Sequence, residues 1–324
     1  MKNILIAVIC LSLFSCSKNP KNTIIKGSVF GTSYSIIYDS EIHYQKQLDS
    51  LFYQINKSLS TYQSNSIISK INRDEVVEVD IHFENVFNAS KKIFYDTEGA
   101  FDPTIGAVVN AWDFGPEGKI SNLDSLKIDS LMVSVGFDKI FKTENHFFKP
   151  KDAFIDFNAI AKGYGVDVVA EFLESKKIKN YLVEIGGEIR VKGINIEKQS
   201  TWKVGVEKPN FNDEQFILKA ITLKDEAMAT SGTYRKFKVD EKGKRYAHII
   251  DTKTGYPSKT NLLSVSVIAK NCMNADAFAT AFKAMGINKV KEFLKTHPQL
   301  KVFLIFENGK KEFETLSLNN FPEN

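Results

Sequence analysis

Helix-forming and strand-forming segments follow one another along this chain without regular alternation, and this order constrains the fold more than any other feature. Apolar residues spaced three and four apart predict helices, and runs of β-branched and aromatic residues predict strands. A doubly wound parallel sheet needs a helix between almost every two strands, and the order found here lacks them. The sequence therefore predicts an α+β fold with mixed, mostly antiparallel sheets and flanking helices.

The individual segments can be placed from the same patterns. Helices are predicted over residues 41–59, 82–97, 159–173, 274–285 and 288–295, with shorter ones within 100–118 and 121–136. Strands are predicted as a hairpin over 23–38, a strand ending at Asp156, and runs at 181–185, 188–192, 202–207, 216–223, 227–231, 247–250, 262–269 and 302–306. Asn274 is the predicted N-cap of the helix over 274–285.

Composition and charge exclude several classes of protein. With 43% hydrophobic and 25% charged residues, disordered, collagen-like and coiled-coil chains are excluded. The formal net charge is +4, and Arg73, Arg190, Arg235 and Arg245 are the only arginines. Nucleic-acid binding needs clustered Arg and Lys on one element, so no nucleic-acid partner is expected.

The N-terminus predicts export. The apolar run 4–11 after Lys2 is too short to span a bilayer and is typical of a signal peptide. Leu13–Cys16 resembles a bacterial lipobox, although an ordinary signal peptide with an incidental cysteine is the alternative. We therefore expect a lipoprotein signal peptide over 1–15, a tether over 16–22 lipidated at Cys16, and one domain over 23–324. The protein would be anchored by lipid in the bacterial cell envelope, facing the periplasm, and stabilised without disulfides.

Familiar signatures of other enzyme classes are missing. There is no Walker A loop, no HExxH or CxxC metal motif and no GxSxG nucleophile turn. Gly163–Gly165 begins like a dinucleotide fingerprint, but Val168 stands where the third glycine belongs.

Two motifs could bind a cation and a phosphate. Asp276 and Thr280 are four residues apart on one helix face, and a carboxylate with a hydroxyl suits Mg²⁺. Asp156 precedes a helix start that carries Lys162, where backbone N–H groups and an ammonium could meet an anion. The alternatives are an acidic residue that favours the helix dipole and a strand–helix corner with a solvated lysine.

Two further segments could hold a ring and move a proton. Residues 99–116 place small residues beside aromatic ones, which lets a planar ring approach the backbone, although a tight Pro/Gly loop over a buried Trp would look the same. His248 and Asp251 are candidate acid–base groups, and a structural histidine beside a strand is the alternative.

Together and in this order, the motifs resemble the FAD:protein FMN transferases, the ApbE family, from about Val29 to Ala284. The resemblance rests on Gly31–Thr32, Leu59–Tyr62, Gly99–Thr104, Asp156–Gly163, Gly186–Ile189, Ala229–Gly232, the His248 motif, and Asp276 with Thr280. It implies a single two-lobed catalytic unit over 23–324. Many family members are lipoproteins, which agrees with Cys16.

The resemblance also implies ligands for each motif. Mg²⁺ would be bound by the carbonyl of Ala159 and the side chains of Asp276 and Thr280. The flavin contacts would be Phe30, Tyr62, Ala100, Phe101, Asp102, Asp156, Lys162 and Ile250. Phe30 replaces the family's usual methionine and would cover the ring by stacking. Thr252 replaces the usual proline after Asp251, which predicts a looser turn.

The activity implied is Mg²⁺-dependent transfer of FMN from FAD to a Thr or Ser hydroxyl of an exported acceptor flavoprotein, with release of AMP. Respiratory or ion-pumping subunits are the acceptors expected from the family. His248 would be the general base, with Asp251 as the second candidate. An FAD pyrophosphatase on the same scaffold and a non-catalytic flavin-binding lipoprotein are the alternatives.

Overall fold

The computed structural model describes residues 21–143, 147–210, 216–233, 237–239 and 245–323. The predicted signal peptide and Cys16 lie outside these residues. Within them, every helix is too short or too polar to cross a membrane.

Helices and strands alternate irregularly along the described chain. The helices are α1 (Gln45–Leu59), α2 (Ile67–Asn72), α3 (Ile81–Asp96), α4 (Gly106–Ala111), α5 (Ser125–Met132), α6 (Ala161–Ser175), α7 (Cys272–Met285) and α8 (Ile287–Leu294). The strands are β1 (Thr23–Val29), β2 (Thr32–Tyr38), β3 (Phe141–Lys142), β4 (Phe147–Phe148), β5 (Tyr181–Ile185), β6 (Glu188–Lys192), β7 (Ile194–Asn195), β8 (Ser200–Lys208), β9 (Phe216–Leu223), β10 (Ala227–Gly232), β11 (Phe237–Val239), β12 (Arg245–Ala247), β13 (Leu262–Ala269), β14 (Lys301–Glu307) and β15 (Phe313–Leu318).

The main sheet of the described chain has eight strands in the order β1-β2-β5-β6-β10-β13-β14-β15. Every neighbouring pair in it is antiparallel. A second antiparallel sheet contains β7, β8 and β9, and β3–β4 and β11–β12 form separate two-stranded pairs. The predicted α+β class with antiparallel sheets is therefore confirmed.

Both faces of the main sheet are covered. On one face α6 packs against β5 and β6, and α7 packs against β10 and β13, with a core that extends to α1 and α3. On the other face, Trp202 and Ile221 of the second sheet pack against Met228 and Phe303 of the main sheet. This arrangement holds α6 and α7 side by side, and their N-terminal turns meet.

Three local predictions were wrong. Residues 154–156 are not a strand, because Phe154 makes only an isolated parallel bridge to Ile105. The strand predicted over 247–250 ends at Ala247, and the chain then bends so that Ile250 can bridge to Pro257 across a tight turn.

The third error concerns the start of α7. Asn274 is not its N-cap, since the helix begins two residues earlier and is capped by Asn271. The Asn271 side chain accepts a hydrogen bond from the Asn274 N–H at 3.0 Å, the usual capping geometry. Asn271 and Asn274 are both possible caps by residue type. The hydrogen bond from Cys272 N to Asp167 starts the helix at Cys272 and so makes Asn271 the cap. The short helix α2 and the edge strand β15 were not predicted.

Candidate active site

The site is built around the crossing of α6 and α7. A Cβ atom added at Gly163 would lie 2.4 Å from the Cys272 carbonyl oxygen and 2.8 Å from the Asp276 Cβ. Only glycine permits this approach. The Gly163 N–H donates to Asp276 Oδ2 at 3.0 Å, while the first helical bond of α6 runs from Tyr164 N to the Ile160 carbonyl. Asp276 thus satisfies one of the N–H groups at the start of α6 that have no partner within the helix.

These contacts supply oxygen ligands of three kinds. Asp276 is buried, and one helical turn later Thr280 Oγ1 lies 2.9 Å from Ser231 Oγ on β10. The Ala159 carbonyl lies in the turn that leads into α6, outside the helix. The described residues contain no cluster of three or more His, Cys, Asp and Glu side chains suited to a metal. A carboxylate, a hydroxyl and a carbonyl are nevertheless donors that Mg²⁺ accepts, so this set fits the ion.

Lys162 stands between two buried carboxylates. Its Nζ lies 2.5 Å from Glu188 Oε1. Burial alone would lower the pKa of Lys162, but the charges of Glu188 and Asp276 outweigh burial and raise that pKa. Burial also raises the pKa of Glu188 to about 7, and it raises the pKa of Asp276 against the opposing effects of Lys162 and the Gly163 N–H. Two carboxylates facing one ammonium leave a negative excess, which a divalent cation would neutralise.

Asp167 fixes the N-terminus of α7. Its two carboxylate oxygens accept hydrogen bonds from Cys272 N at 3.0 Å and Met273 N at 2.8 Å. Arg190 on β6 contacts the same carboxylate at 2.8 Å. A carboxylate at a helix N-terminus is favourable because it satisfies free N–H groups and meets the positive end of the helix dipole. Sequence reasoning missed this support, because Asp167 lies in the interior of α6 and more than a hundred residues before its partners.

Asp102 and Asp156 lie on two chain segments that run side by side. The Asp156 N–H donates to the Pro103 carbonyl at 2.8 Å. Asp102 is buried and accepts hydrogen bonds from the Thr104 N–H and hydroxyl at 2.9 and 2.6 Å, and burial raises its pKa. Ala100 and Phe101 belong to the same segment, and the Phe101 side chain is buried.

Tyr62 faces the same region. Partial burial is the main cause of its raised pKa, and the negative charge of Asp156 raises it further. The Tyr62 side chain is nevertheless 61% exposed. An exposed aromatic ring near a carboxylate is well placed to contact a flat ligand.

Phe30 lies in the tight turn between β1 and β2, where its φ is 51° and that of Gly31 is 73°. Its half-buried ring makes an edge-to-face contact with Phe52 at 5.8 Å. The ring also lies against α6 where a Cβ on Gly165 would be only 2.7 Å away. Phe30 therefore packs against the helix that carries Lys162.

The loop after β12 is fastened to the 99–116 segment. Asp251 Oδ1 accepts hydrogen bonds from Lys253 N and Thr254 N, which folds the turn around its carboxylate. Thr252 Oγ1 donates to the Gly99 carbonyl at 2.6 Å, and the turn also closes through Asp251 N and the Tyr256 carbonyl at 2.8 Å. The looser turn expected at Thr252 stays a prediction, although its hydroxyl supplies a hydrogen bond to Gly99 that proline lacks.

His248 and Ile250 both pack against the 99–116 segment. The half-buried His248 ring lies 6.2 Å from Phe114, and Ile250 is buried against Val108. Trp112 Nε1 donates to the Gly255 carbonyl at 2.9 Å. The structure thus brings Lys162, Asp276 and Thr280 together at the helix crossing, and Ala159 lies in the turn that leads into α6. The loops that carry Asp102, Asp156, His248 and Asp251 are joined to one another beside it.

Comparison with known proteins places this site in a family. The sequence model of the ApbE family matches residues 30–304, which include all these positions. The chain belongs to the ApbE family. This confirms the resemblance predicted from the ordered motifs.

Individual relatives and solved structures match most or all of this chain. A protein of Haemophilus influenzae named FAD:protein FMN transferase is 36% identical, over 100% of this chain and 97% of its own length. The structure of the flavin transferase ApbE from Vibrio cholerae has a TM-score of 0.82 and 33% identity, and covers 92% of this chain and 97% of its own. The apo form of the Pseudomonas stutzeri flavinyl transferase ApbE also has a TM-score of 0.82, with 28% identity, 92% of this chain and 95% of its own.

Proposed function

We propose that this protein is a Mg²⁺-dependent FAD:protein FMN transferase of the bacterial cell envelope. The observation that carries the proposal is the crossing at Gly163, where the Asp276 carboxylate accepts a hydrogen bond from an N–H in the first turn of α6, the helix that carries Lys162. The names of full-length relatives support the activity. The donor set supports the ion.

Each side chain has a distinct task in this reaction. Asp276, Thr280 and the Ala159 carbonyl would hold Mg²⁺, which supplies charge neutralisation at the pyrophosphate. Lys162 adds a second positive charge at the start of α6, where backbone N–H groups also face an anion. Tyr62 and the segment that contains Asp102 would hold the isoalloxazine ring while the phosphoryl group reacts.

The acceptor hydroxyl must lose a proton as it attacks. Its oxygen bonds to the phosphorus of the FMN half, the bond from that phosphorus to the AMP oxygen breaks, and AMP leaves. We assign the base to His248, because Asp251 Oδ1 already accepts hydrogen bonds from two backbone N–H groups and so stabilises its own turn. Asp251 then shapes the loop that presents His248.

The test uses envelope proteins from cells that lack this chain. These proteins are incubated with the purified protein, FAD and Mg²⁺, separated by denaturing electrophoresis and examined for flavin fluorescence. We expect a fluorescent band whose peptide carries the mass of FMN on a Thr or Ser. The Asp276→Ala variant should give no band, whereas Asp129→Ala, which removes an exposed carboxylate of α5, should match the parent.

Measuring AMP separates the transferase from a pyrophosphatase. AMP should appear only when acceptor protein is present, because the acceptor hydroxyl is the nucleophile. Rapid AMP release without acceptor would show that water is the nucleophile. Unchanged FAD after hours with Mg²⁺ and acceptor would leave a flavin-binding protein.

We also propose that Cys16 carries the lipid that anchors the protein, facing the periplasm. The apolar run before it and the polar residues after it support this. A Cys16→Ser variant should move from the membrane fraction to the soluble fraction or keep its signal peptide. A Cys16→Ser protein that has lost its signal peptide and still associates with the membrane like the parent would refute the anchor.

A further inference from the structure

Glu188 is a buried carboxylate, and the proposed flavin and Mg²⁺ ligands do not include it. It is the first residue of β6, directly after the turn in which Gly186 and Gly187 have φ of 64° and 102°. Glu184 holds that turn by accepting a hydrogen bond from Gly187 N at 2.7 Å. The Glu188 side chain is only 2% exposed and extends beneath the turn toward α6.

Only one of the two Glu188 oxygens is satisfied by the described residues. Oε1 lies 2.5 Å from Lys162 Nζ, whereas Oε2 is buried without a hydrogen-bond partner among the described residues. Asp167, the comparable buried carboxylate nearby, uses both oxygens on backbone N–H groups and binds Arg190 as well. Asp167 therefore has a structural role, because both of its oxygens are used to hold α7 and Arg190 in place. The described contacts give Glu188 one partner, the ammonium of Lys162.

The position of Lys162 needs such a partner. A lysine side chain is long and flexible, and Asp276 is the other carboxylate whose charge acts on it. Without Glu188, the ammonium would be drawn to Asp276 and would compete there with a divalent cation. With Glu188, one carboxylate holds the lysine and the other stays available to the cation.

We propose that Glu188 is a positioning residue, which holds the Lys162 ammonium beside the cation site and keeps Asp276 free to bind Mg²⁺. The inference deepens the proposed FMN transfer and rests on it for its catalytic meaning. It assigns different roles to the two carboxylates near Lys162: Glu188 binds the lysine, and Asp276 binds the cation.

The test is a double-mutant cycle of Glu188→Gln and Lys162→Met. Two quantities are measured in each protein: Mg²⁺ binding by titration calorimetry with the ion alone, and kcat for FMN transfer at saturating FAD. In the parent background, Glu188→Gln should weaken Mg²⁺ binding and lower kcat by about tenfold each. In the Lys162→Met background the same change should alter either quantity by less than about twofold, because the lysine it positions is gone.

Glu226→Gln is the matched control. It removes a carboxylate that pairs with Lys301 at 2.6 Å rather than with Lys162, and should leave both quantities unchanged. If Lys162→Met does not accumulate as folded protein, Lys162→Leu supplies the second background, because it also removes the ammonium and makes no hydrogen bond to residue 188.

Two results would overturn the inference: parent-like Mg²⁺ binding in Glu188→Gln, or an equal loss in both backgrounds, which is what a purely structural role would give. If the binding cycle is coupled but the parent transfers no FMN, the proposed function fails and the positioning role stands.

Discussion

Replacing Gly163 by alanine tests whether the close crossing of α6 and α7 places Asp276. The added methyl would lie 2.4 Å from the Cys272 carbonyl oxygen, whereas ordinary contact begins at 3.4 Å, so the helices must separate by about 1 Å. Neither close neighbour can rotate away, because one is backbone and the other is a Cβ atom. The shift also stretches the hydrogen bond from Gly163 N to Asp276.

The expected magnitude follows from three effects. Overpacking of this kind costs about 1–3 kcal/mol. Weakening a hydrogen bond to a buried carboxylate costs about 1.5–3 kcal/mol, and the better helix propensity of alanine returns about 1 kcal/mol. We expect the free energy of unfolding to fall by about 1.5–5 kcal/mol. Because Asp276 moves with the helix, kcat should fall by roughly 10²-fold.

The assay combines denaturant unfolding with the FMN transfer rate measured as a function of Mg²⁺. Gly309→Ala is the control, since a Cβ at that glycine meets nothing within 4 Å and should change neither quantity. A Gly163→Ala protein with the stability and Mg²⁺ dependence of the parent would show that the crossing is not what places Asp276.

The remaining predictions concern the loop and the core. Thr252→Val removes the hydrogen bond to Gly99, and the loss of about 1 kcal/mol should raise the KM for FAD about fivefold. Thr252→Ser keeps the hydroxyl and should have the KM of the parent. Equal KM values in all three proteins would contradict this prediction. Lys283 is buried, which lowers its pKa to about 8. The unfolded chain therefore binds more protons than the folded one between about pH 8 and 10.5, so stability should rise with pH across that window. Lys283→Met should flatten this rise and stabilise the protein at pH 7 by about 2–3 kcal/mol, and chemical denaturation at several pH values measures both effects.

Much of the fold could be predicted because periodicity is a local property. The β1–β2 hairpin, α3 and β13 were predicted within a residue or two, since each has an apolar pattern that only one regular structure can bury. The errors fall where local pattern and tertiary contact disagree. Phe154 has strand-like neighbours, but a single bridge to Ile105 is the only pairing it finds.

In the candidate site, too, local spacing could be predicted from the sequence and contacts between distant segments could not. Asp276 and Thr280 could be paired from their spacing, because a helix places residues four apart on one face. No spacing could place Gly163 against Cys272, or Asp167 under the N-terminus of α7, since more than a hundred residues separate these partners. Glu188 was visible as part of a motif, but its task depends on Lys162 of another element.

By itself, the sequence determined the fold class, the family and most of the residues proposed to meet the substrate, because those depend on periodicity and on the order of motifs. Only the tertiary structure decided how they work together. It showed that a missing Cβ lets α7 take a backbone N–H from α6, that Thr252 fastens a loop, and that Glu188 rather than Asp276 holds Lys162. These are contacts between distant segments, and the close packing of a sheet and two helices is what creates them.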